Sequence, residues 1–400
     1  MIRSFEDACR FLFPRQAGGI KWGLETTRSL LAALGNPERH FATVHVGGTN
    51  GKGSTAAFLA ALLRAAGHRV GLYTSPHLVS FTERMQVNGV PVAEEAVAAW
   101  TARLAPLAEQ TGASFFEITT AIAFADFASR GVEIAVIEVG LGGRLDATNV
   151  ITPLACGVTR IALEHTDYLG SDLAAIAREK AGIAKPGVPF LTTEPDEQVA
   201  AVLVEEAAKR GAIARRVPVS LADGYKLGLG GPHQRANASL ALALGRSLPG
   251  QWRPEEECER AALAAARLPG RFDRRGPWLF DVAHNPDGVR ALVAALEGES
   301  VARPLVAVVA VLKDKNWREM LDLLGSAVDE LVLTRAPSAP AQRAWDLEAV
   351  GGSWSGVKVE IQPELRDALQ LARSRAATVL VTGSFHTVGD AMSILGIDPI

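Results

Sequence analysis

Short apolar runs rich in β-branched residues alternate along this chain with longer stretches in which Ala and Leu recur at helical spacing. Residues 43–46, 69–73, 134–139, 155–161 and 189–192 are such short apolar, β-rich runs and read as buried strands. Helix-like segments, among them 54–66 and 173–183, lie between them. This alternation predicts a parallel sheet with helices on both faces. A second series follows, with strand-like runs at 279–282, 305–312, 330–334, 358–361 and 378–382 and helical stretches at 317–324 and 364–375. It reads as another open α/β unit of roughly half the first one's length. The stretch 268–277 (LPGRFDRRGP) is rich in Pro, Gly and Arg and reads as a hinge region. The expected organisation is a domain at 1–272, a hinge at 273–276 and a domain at 277–400. A crevice between two α/β domains is a common ligand site.

A chain of 400 residues is long for one core, which agrees with two domains. Hydrophobic residues make up 48% and charged residues 21%, so each half can bury a core and disorder is not expected. The 41 basic and 44 acidic residues leave a net charge of −3, which gives no general attraction to nucleic acid or membranes. Cys9, Cys156 and Cys258 form no CxxC pair and read as reduced thiols. The first residues, MIRSFEDACRFLF, lack a signal-peptide core, and the longest apolar runs, such as 55–63, are too short to span a bilayer. The expectation is a cytoplasmic protein. No long amphipathic surface helix or heptad run suggests obligate assembly, and the oligomeric state is left open by this.

The sharpest local feature is TVHVGGTNGKGST at 43–55: a strand, a glycine-rich turn, then a helix. Small residues let backbone N–H groups wrap phosphate oxygens, and a helix N-terminus adds positive potential. Lys52 supplies a point charge for terminal phosphates. The spacing differs from the common P-loop, because Gly47 precedes Gly51 by one residue too few and Gly53 separates Lys52 from Ser54. A tight βα turn is the plain structural alternative. Further along, TSPHLVSFTER at 74–84 follows a strand, where a turn with solvated charges is the plain alternative. Glu138 closes an apolar strand, where α/β sheets place functional groups and where a carboxylate can hold a hard cation. A salt bridge from Glu138 to Arg144 would also explain it. His165 alone reads as a core histidine, Lys180 as a solvated helix lysine, and the start of HQRANASLAL at 233–242 as a helix cap.

Together these strings resemble the Mur ligase superfamily, and more narrowly the dihydrofolate synthase/folylpolyglutamate synthase family. GTNGKGS looks like that family's ATP loop, SPHL its magnesium-serine loop, and EVGLGGRLDATN at 138–149 matches almost letter for letter. EHTDYLG at 164–170 is similar to the family's DHTDWLG, with Glu164 where Asp is usual. The resemblance implies a larger N-terminal P-loop, Mur-ligase-like ATPase domain and a smaller C-terminal Rossmann-like α/β domain. It implies an ATP-dependent ligase that joins L-glutamate to dihydropteroate or to folate, with Mg2+ as cofactor and a monovalent cation as a further candidate, and a monomer is the family-like expectation. By the same resemblance, Gly48, Thr49, Asn50, Gly51, Lys52, Gly53, Ser54, Asn237, Arg271, Asp281 and His284 bind ATP. Ser75, Glu138 and His165 hold the metal. Lys52, Lys180 and His165 serve catalysis, with Lys180 carried as N6-carboxylysine. Leu145, Asp146 and Ala147 line the pterin pocket, joined by Trp22, Gly23 and Leu24 and by the aromatic string Ser114, Phe115, Phe116 and Glu117. Lys21 and Trp22 depart from the family's form, which bears on the choice of pterin. Another Mur-type amide ligase, acting on a peptidoglycan precursor, is the alternative; SPHL and EVGLGGRLDATN argue against it. Whether the chain makes dihydrofolate, extends a glutamate tail or does both is left open, although GSFHTVG at 383–389 resembles the bifunctional type.

Overall fold

The computed structural model describes residues 2–16, 23–350 and 356–400. Contacts divide the chain into two compact units. The first comprises Met1–Ser75, Thr82–Leu227 and Arg235–Ala266; the second comprises Pro76–Phe81, Gly228–Gln234 and Arg267–Ile400.

The first unit is built on eight strands: β1 (Ala42–Gly47), β2 (Val70–Tyr73), β3 (Met85–Val87), β4 (Val90–Pro91), β5 (Ile134–Glu138), β6 (Ala155–Val158), β7 (Pro189–Thr192) and β8 (Ile213–Arg216). Their order is β4-β3-β2-β5-β1-β6-β7-β8. All neighbours pair in parallel except β2–β3 and β3–β4. Every residue of β5 and β6 is buried, which is why these strands read as continuous apolar runs. Register places Val46 opposite Glu138 and Gly47 opposite Val158. The C-terminal ends of three adjacent strands thus bring the phosphate loop, Glu138 and the segment after 158 to one edge. Helix Lys52–Ala65 is buried along nearly its whole length, with only Lys52, Arg64 and Ala65 outside the core. Helix Phe115–Ser129 starts on a capping box, in which Ser114 and Glu117 each accept from the other's backbone. Its Phe124 and Phe127 pack edge-on against Phe41, 6.0 Å between ring centres.

The second unit holds β9 (Asp273–Arg275), β10 (Trp278–Phe280), β11 (Leu305–Val309), β12 (Glu330–Leu333), β13 (Lys358–Ile361) and β14 (Thr378–Thr382). Their order is β13-β12-β11-β14-β10-β9, parallel apart from β9. The stretch expected to be a hinge, 273–276, therefore contributes an edge strand to this sheet. Leu78, from the 76–81 excursion, packs in this unit's core beside Val282 and Val388. A Cβ placed on Gly270 would lie 3.3 Å from the Leu78 side chain.

Several expected strands prove shorter. The run 155–161 leaves the sheet after Val158, and 305–312 after Val309. The β3–β4 hairpin turns on Asn88 and Gly89, at φ +52° and +84°, the left-handed pair that a tight two-residue turn needs. Among the described residues, no helix is long and apolar enough to cross a membrane.

Candidate active site

The loop joining β1 to helix Lys52–Ala65 is held by backbone bonds to the segment after β6. Arg160 carbonyl oxygen accepts from the N–H groups of Thr49 (2.8 Å) and Asn50 (3.3 Å), and Gly47 oxygen accepts from Thr159 N–H (2.9 Å). Gly48 has φ +136° and Gly51 φ +92°, a region that L side chains avoid. A Cβ on Gly48 would meet Thr159 Oγ1 at 1.8 Å, and one on Gly51 would meet Asn237 Oδ1 at 2.2 Å. Asn237, from helix Gln234–Ser247, therefore backs the loop. Gly53 and Ser54 are buried in the first helical turn. Lys52 donates from Nζ to Thr49 oxygen at 3.0 Å, arching its charge over the loop.

A second lysine reaches the same turn. Lys180, only 5% exposed, donates from Nζ to Gly48 oxygen at 2.7 Å. Burial pushes its pKa down to about 7, and the positive charge of Lys52 adds to this against the pull of Glu164 and Asp146. Lys180 is buried because two glycines admit the neighbouring backbone. A Cβ on Gly143 would lie 2.8–3.0 Å from backbone atoms of Glu179 and Lys180, and one on Gly182 would lie 2.3–2.8 Å from atoms of Arg144. Arg144 pairs with Glu179 at 2.8 Å, not with Glu138.

Glu138 is buried at the end of β5, and its Oε2 accepts the Ser75 N–H at 3.0 Å. The structure thus joins two of the expected metal-site residues directly. His165 lies in the loop after β6, immediately before the short helix Thr166–Leu169, at φ +53°. Four described non-glycine residues have positive φ. Asn36, Asn88 and His165 are of the residue types that enter this region most readily, whereas Phe272 is not. Among the described residues, no group of three or more His, Cys, Asp or Glu side chains could by itself hold a metal ion. One hard carboxylate and a serine beside a phosphate loop do fit Mg2+, which takes few protein oxygens and completes its shell with water and phosphate.

Beside Glu138 lies an aromatic patch. Phe115 is buried, with Phe13 at 6.0 Å and Phe116 edge-on at 5.5 Å. Phe116 is 41% exposed, so its ring is available to a ligand. The buried Arg84 guanidinium lies 5.0 Å from the Phe115 ring and 6.0 Å from that of Phe116. Desolvation lowers the Arg84 pKa to about 10, against the pull of Tyr73 and Glu138. Gly140 separates Phe116 from Asp146, since a Cβ there would lie 3.3 Å from the ring and 3.2 Å from Asp146 Oδ2. Leu145 is half-buried and Ala147 buried on either side of Asp146. Ser114 and Glu117 are engaged in the helix cap, and Leu24 is the N-cap of helix Glu25–Ala33, preceded by Gly23 at φ +128°. Trp22 lies outside the described residues.

In the second unit, Asp281 follows β10 and is buried. Its Oδ2 accepts Phe272 N–H and its Oδ1 accepts Ala283 N–H, both at 2.9 Å. Burial raises its pKa, opposed first by Arg271. The Arg271 guanidinium stacks 4.9 Å from the Phe385 ring centre, and the His284 ring lies 5.6 Å from the same ring. Arg271, Asp281 and His284 therefore form one cluster. Sequence reading missed His233, whose pKa is lowered by burial and which shares this electrostatic neighbourhood with Asp281 and Arg271. It also missed His45 and Thr148 behind Asp146.

Residues 46–219 match the Mur ligase middle domain, and residues 270–385 match the Mur ligase, glutamate ligase domain. The dihydrofolate synthase/folylpolyglutamate synthase of Bacillus subtilis is 31% identical, over 98% of this chain and 99% of its own length. This chain belongs to the dihydrofolate synthase/folylpolyglutamate synthase family. Structures of other members superpose over nearly the whole length. Escherichia coli FolC in complex with DHPP and ADP is 32% identical with a TM-score of 0.87, covering 98% of each chain. A bifunctional folylpolyglutamate synthase/dihydrofolate synthase with Mn, AMPPNP and L-glutamate bound is also 32% identical, with a TM-score of 0.85 over 98% of each chain. The eight-stranded and six-stranded sheets are thus the family's middle and C-terminal domains.

Proposed function

We infer that this protein is an ATP-dependent carboxylate–amine ligase. It adds L-glutamate to dihydropteroate, to the γ-carboxylate of tetrahydrofolate, or to both, through an acyl phosphate. The observation that carries this reading is the 31% identity spanning nearly all of this chain and of the Bacillus subtilis enzyme. The two positive-φ glycines and two lysines of the phosphate loop support it.

In this reading the N–H groups of the loop and the Lys52 ammonium hold the triphosphate. Asn237, which backs the loop, contacts the nucleotide. Ser75, Glu138 and His165 would hold a divalent cation, Mg2+, which would supply charge neutralisation at the γ-phosphate. Phe116 and Asp146 receive the pterin, the ring by stacking and the carboxylate by accepting hydrogen bonds. A carboxylate oxygen of the acceptor acid attacks the γ-phosphorus, and ADP leaves with the electron pair of the broken P–O bond. The glutamate amine then attacks the acyl carbon; the C–O bond to phosphate breaks, phosphate leaves, and the amine gives up a proton. The chain's main contribution is alignment and charge neutralisation.

Lys180 is the residue whose setting suits N6-carboxylation. A buried amine with a pKa near 7 is largely neutral at physiological pH, and the neutral amine is the form that adds CO2. The neutral Nζ forms a bond to the CO2 carbon as one C=O π bond opens onto oxygen, one proton leaves the nitrogen, and the neutral amine beside Lys52 becomes an anion. Native intact mass should show one added carboxyl group on wild type and none on Lys180→Met.

The deciding experiment incubates the protein with ATP, Mg2+ and labelled glutamate, with either dihydropteroate or tetrahydrofolate as acceptor. Phosphate release should require both an acid and glutamate, and Lys52→Ala should abolish it with the fold intact. Near-normal turnover by that variant, or phosphate release without an acid, would refute the assignment.

A further inference from the structure

His45 lies in β1 between Val44 and Val46 and is fully buried. Its Nε2 is 2.8 Å from Thr148 Oγ1, whereas its Nδ1 is buried without a hydrogen-bond partner. Thr148 Oγ1 is in turn 2.5 Å from Asp146 Oδ1. Asp146 also accepts the backbone N–H groups of Thr148 (3.0 Å) and Leu141 (2.8 Å), and the Gly140 N–H acts in the same sense.

These contacts fix the direction of the chain. Burial raises the Asp146 pKa, opposed by the Thr148 hydroxyl and by the backbone N–H groups of Leu141, Thr148 and Gly140, each of which favours the anion. Oδ1 accepts the Thr148 N–H and Oδ2 accepts the Leu141 N–H, so both carboxylate oxygens are acceptors, and an anionic carboxylate can only accept. The single hydroxyl proton of Thr148 therefore goes to Asp146, leaving only lone pairs for His45. The imidazole must then carry its proton on Nε2. Burial keeps the ring neutral by pushing its pKa down to about 3, with Lys185 adding to this. An unpaired buried Nδ1 is a penalty that Val or Ile would avoid at this site, so packing alone gives no reason for histidine.

We propose that His45 is a positioning residue for the acceptor acid, donating through Thr148 to hold Asp146 as a fixed, ionised acceptor beside Phe116. The inference rests on the ligase reading and on the placing of Asp146 in the pterin pocket. Because β1 runs straight into the phosphate loop, the strand that sets the loop also orients the group that seats the pterin.

The test exploits the reach of two amides. Glutamine places its amide nitrogen near the position of histidine Nε2, and asparagine places its own near Nδ1. His45→Asn and His45→Leu should raise KM for the acceptor acid about tenfold or more, the size expected for a lost hydrogen bond to a charged group. KM for ATP should hold, and His45→Gln should restore most of the acid affinity. Thr148→Val, nearly isosteric, should reproduce the rise, and pairing it with His45→Asn should add little because both cut one chain. The His45→Gln and Thr148→Val measurements stand even if His45→Asn fails to fold. Ring 15N shifts of His45 should report the Nε2–H tautomer. An Nδ1–H tautomer, additive effects, a Gln variant as impaired as Asn, or parallel rises in both KM values would overturn the proposal. Asp146→Asn separates the two levels: if it leaves the acid KM unchanged, the pterin-pocket reading has failed and not the relay.

Discussion

Replacing Lys180 with methionine should make the protein more stable and inactive at once. Methionine keeps an unbranched side chain of similar length while removing the charge. In CO2-depleted buffer the wild-type amine is held in a site where its pKa falls from 10.5 to about 7. That drop corresponds to a ceiling of about 5 kcal/mol for burying the protonated form. Against it stands the loss of the 2.7 Å bond to Gly48 oxygen, about 1–2 kcal/mol with its stranded acceptor. A net gain of at most about 3–4 kcal/mol at pH 6 remains, equivalent to no more than roughly 6–16 °C in the transition of the first unit. The sign of the pH dependence follows from the lowered folded-state pKa. Between about 7 and 10.5 the unfolded chain binds the extra proton, so wild-type stability climbs relative to the variant by about 1.4 kcal/mol per pH unit. The variant's advantage is constant below pH 7 and shrinks above it. Thermal and urea unfolding of both proteins at pH 6, 7.5 and 9 would measure this, with bicarbonate then added to wild type alone. A flat difference across that range, or a variant less stable at pH 6, would refute the reasoning.

Gly48→Ala should lower turnover by at least about a hundredfold, because its Cβ would collide with Thr159 Oγ1 at 1.8 Å and the left-handed backbone would be strained; steady-state assays and ATP titration would check this. Glu138→Gln keeps an oxygen for the Ser75 N–H but loses the negative charge, so half-maximal activity should need at least about tenfold more Mg2+, with the melting temperature little changed. Glu259 accepts from Tyr225 and twice from Arg246 while itself only 2% exposed. Glu259→Ala should therefore cost about 3 kcal/mol in denaturant unfolding by stranding that guanidinium.

The central strands were legible because burial on both faces writes an unbroken apolar run, as in β5 and β6. Edge elements write no such signal. Three of the four residues of β8 are exposed, and the pairs of β3 and β4 are set by the Asn88-Gly89 turn, a cue present in the sequence and passed over. The candidate site residues stand out in the sequence as motifs, but their burial does not. Lys180 sits in the polar string AREKAG, and only the approach of Gly143 and Gly182 backbones, made by distant segments, takes it out of water. Ser114 and Glu117 stood out for their aromatic neighbours, although their spacing is also that of a capping box. His45 was hidden because an alternating apolar strand gives no hint of a partner 103 residues later.

The chain passes between its two compact units at 75/76, 81/82, 227/228, 234/235 and 266/267. Severing it before Arg267 would deprive the C-terminal piece of Leu78 from its own hydrophobic interior and of His233 beside Asp281. Excision of that piece should therefore give a fragment prone to aggregate, not an independently folding domain. During synthesis the excursion around Leu78 also emerges long before the strands it packs on, and must stay solvated or shielded until the rest of the polypeptide arrives.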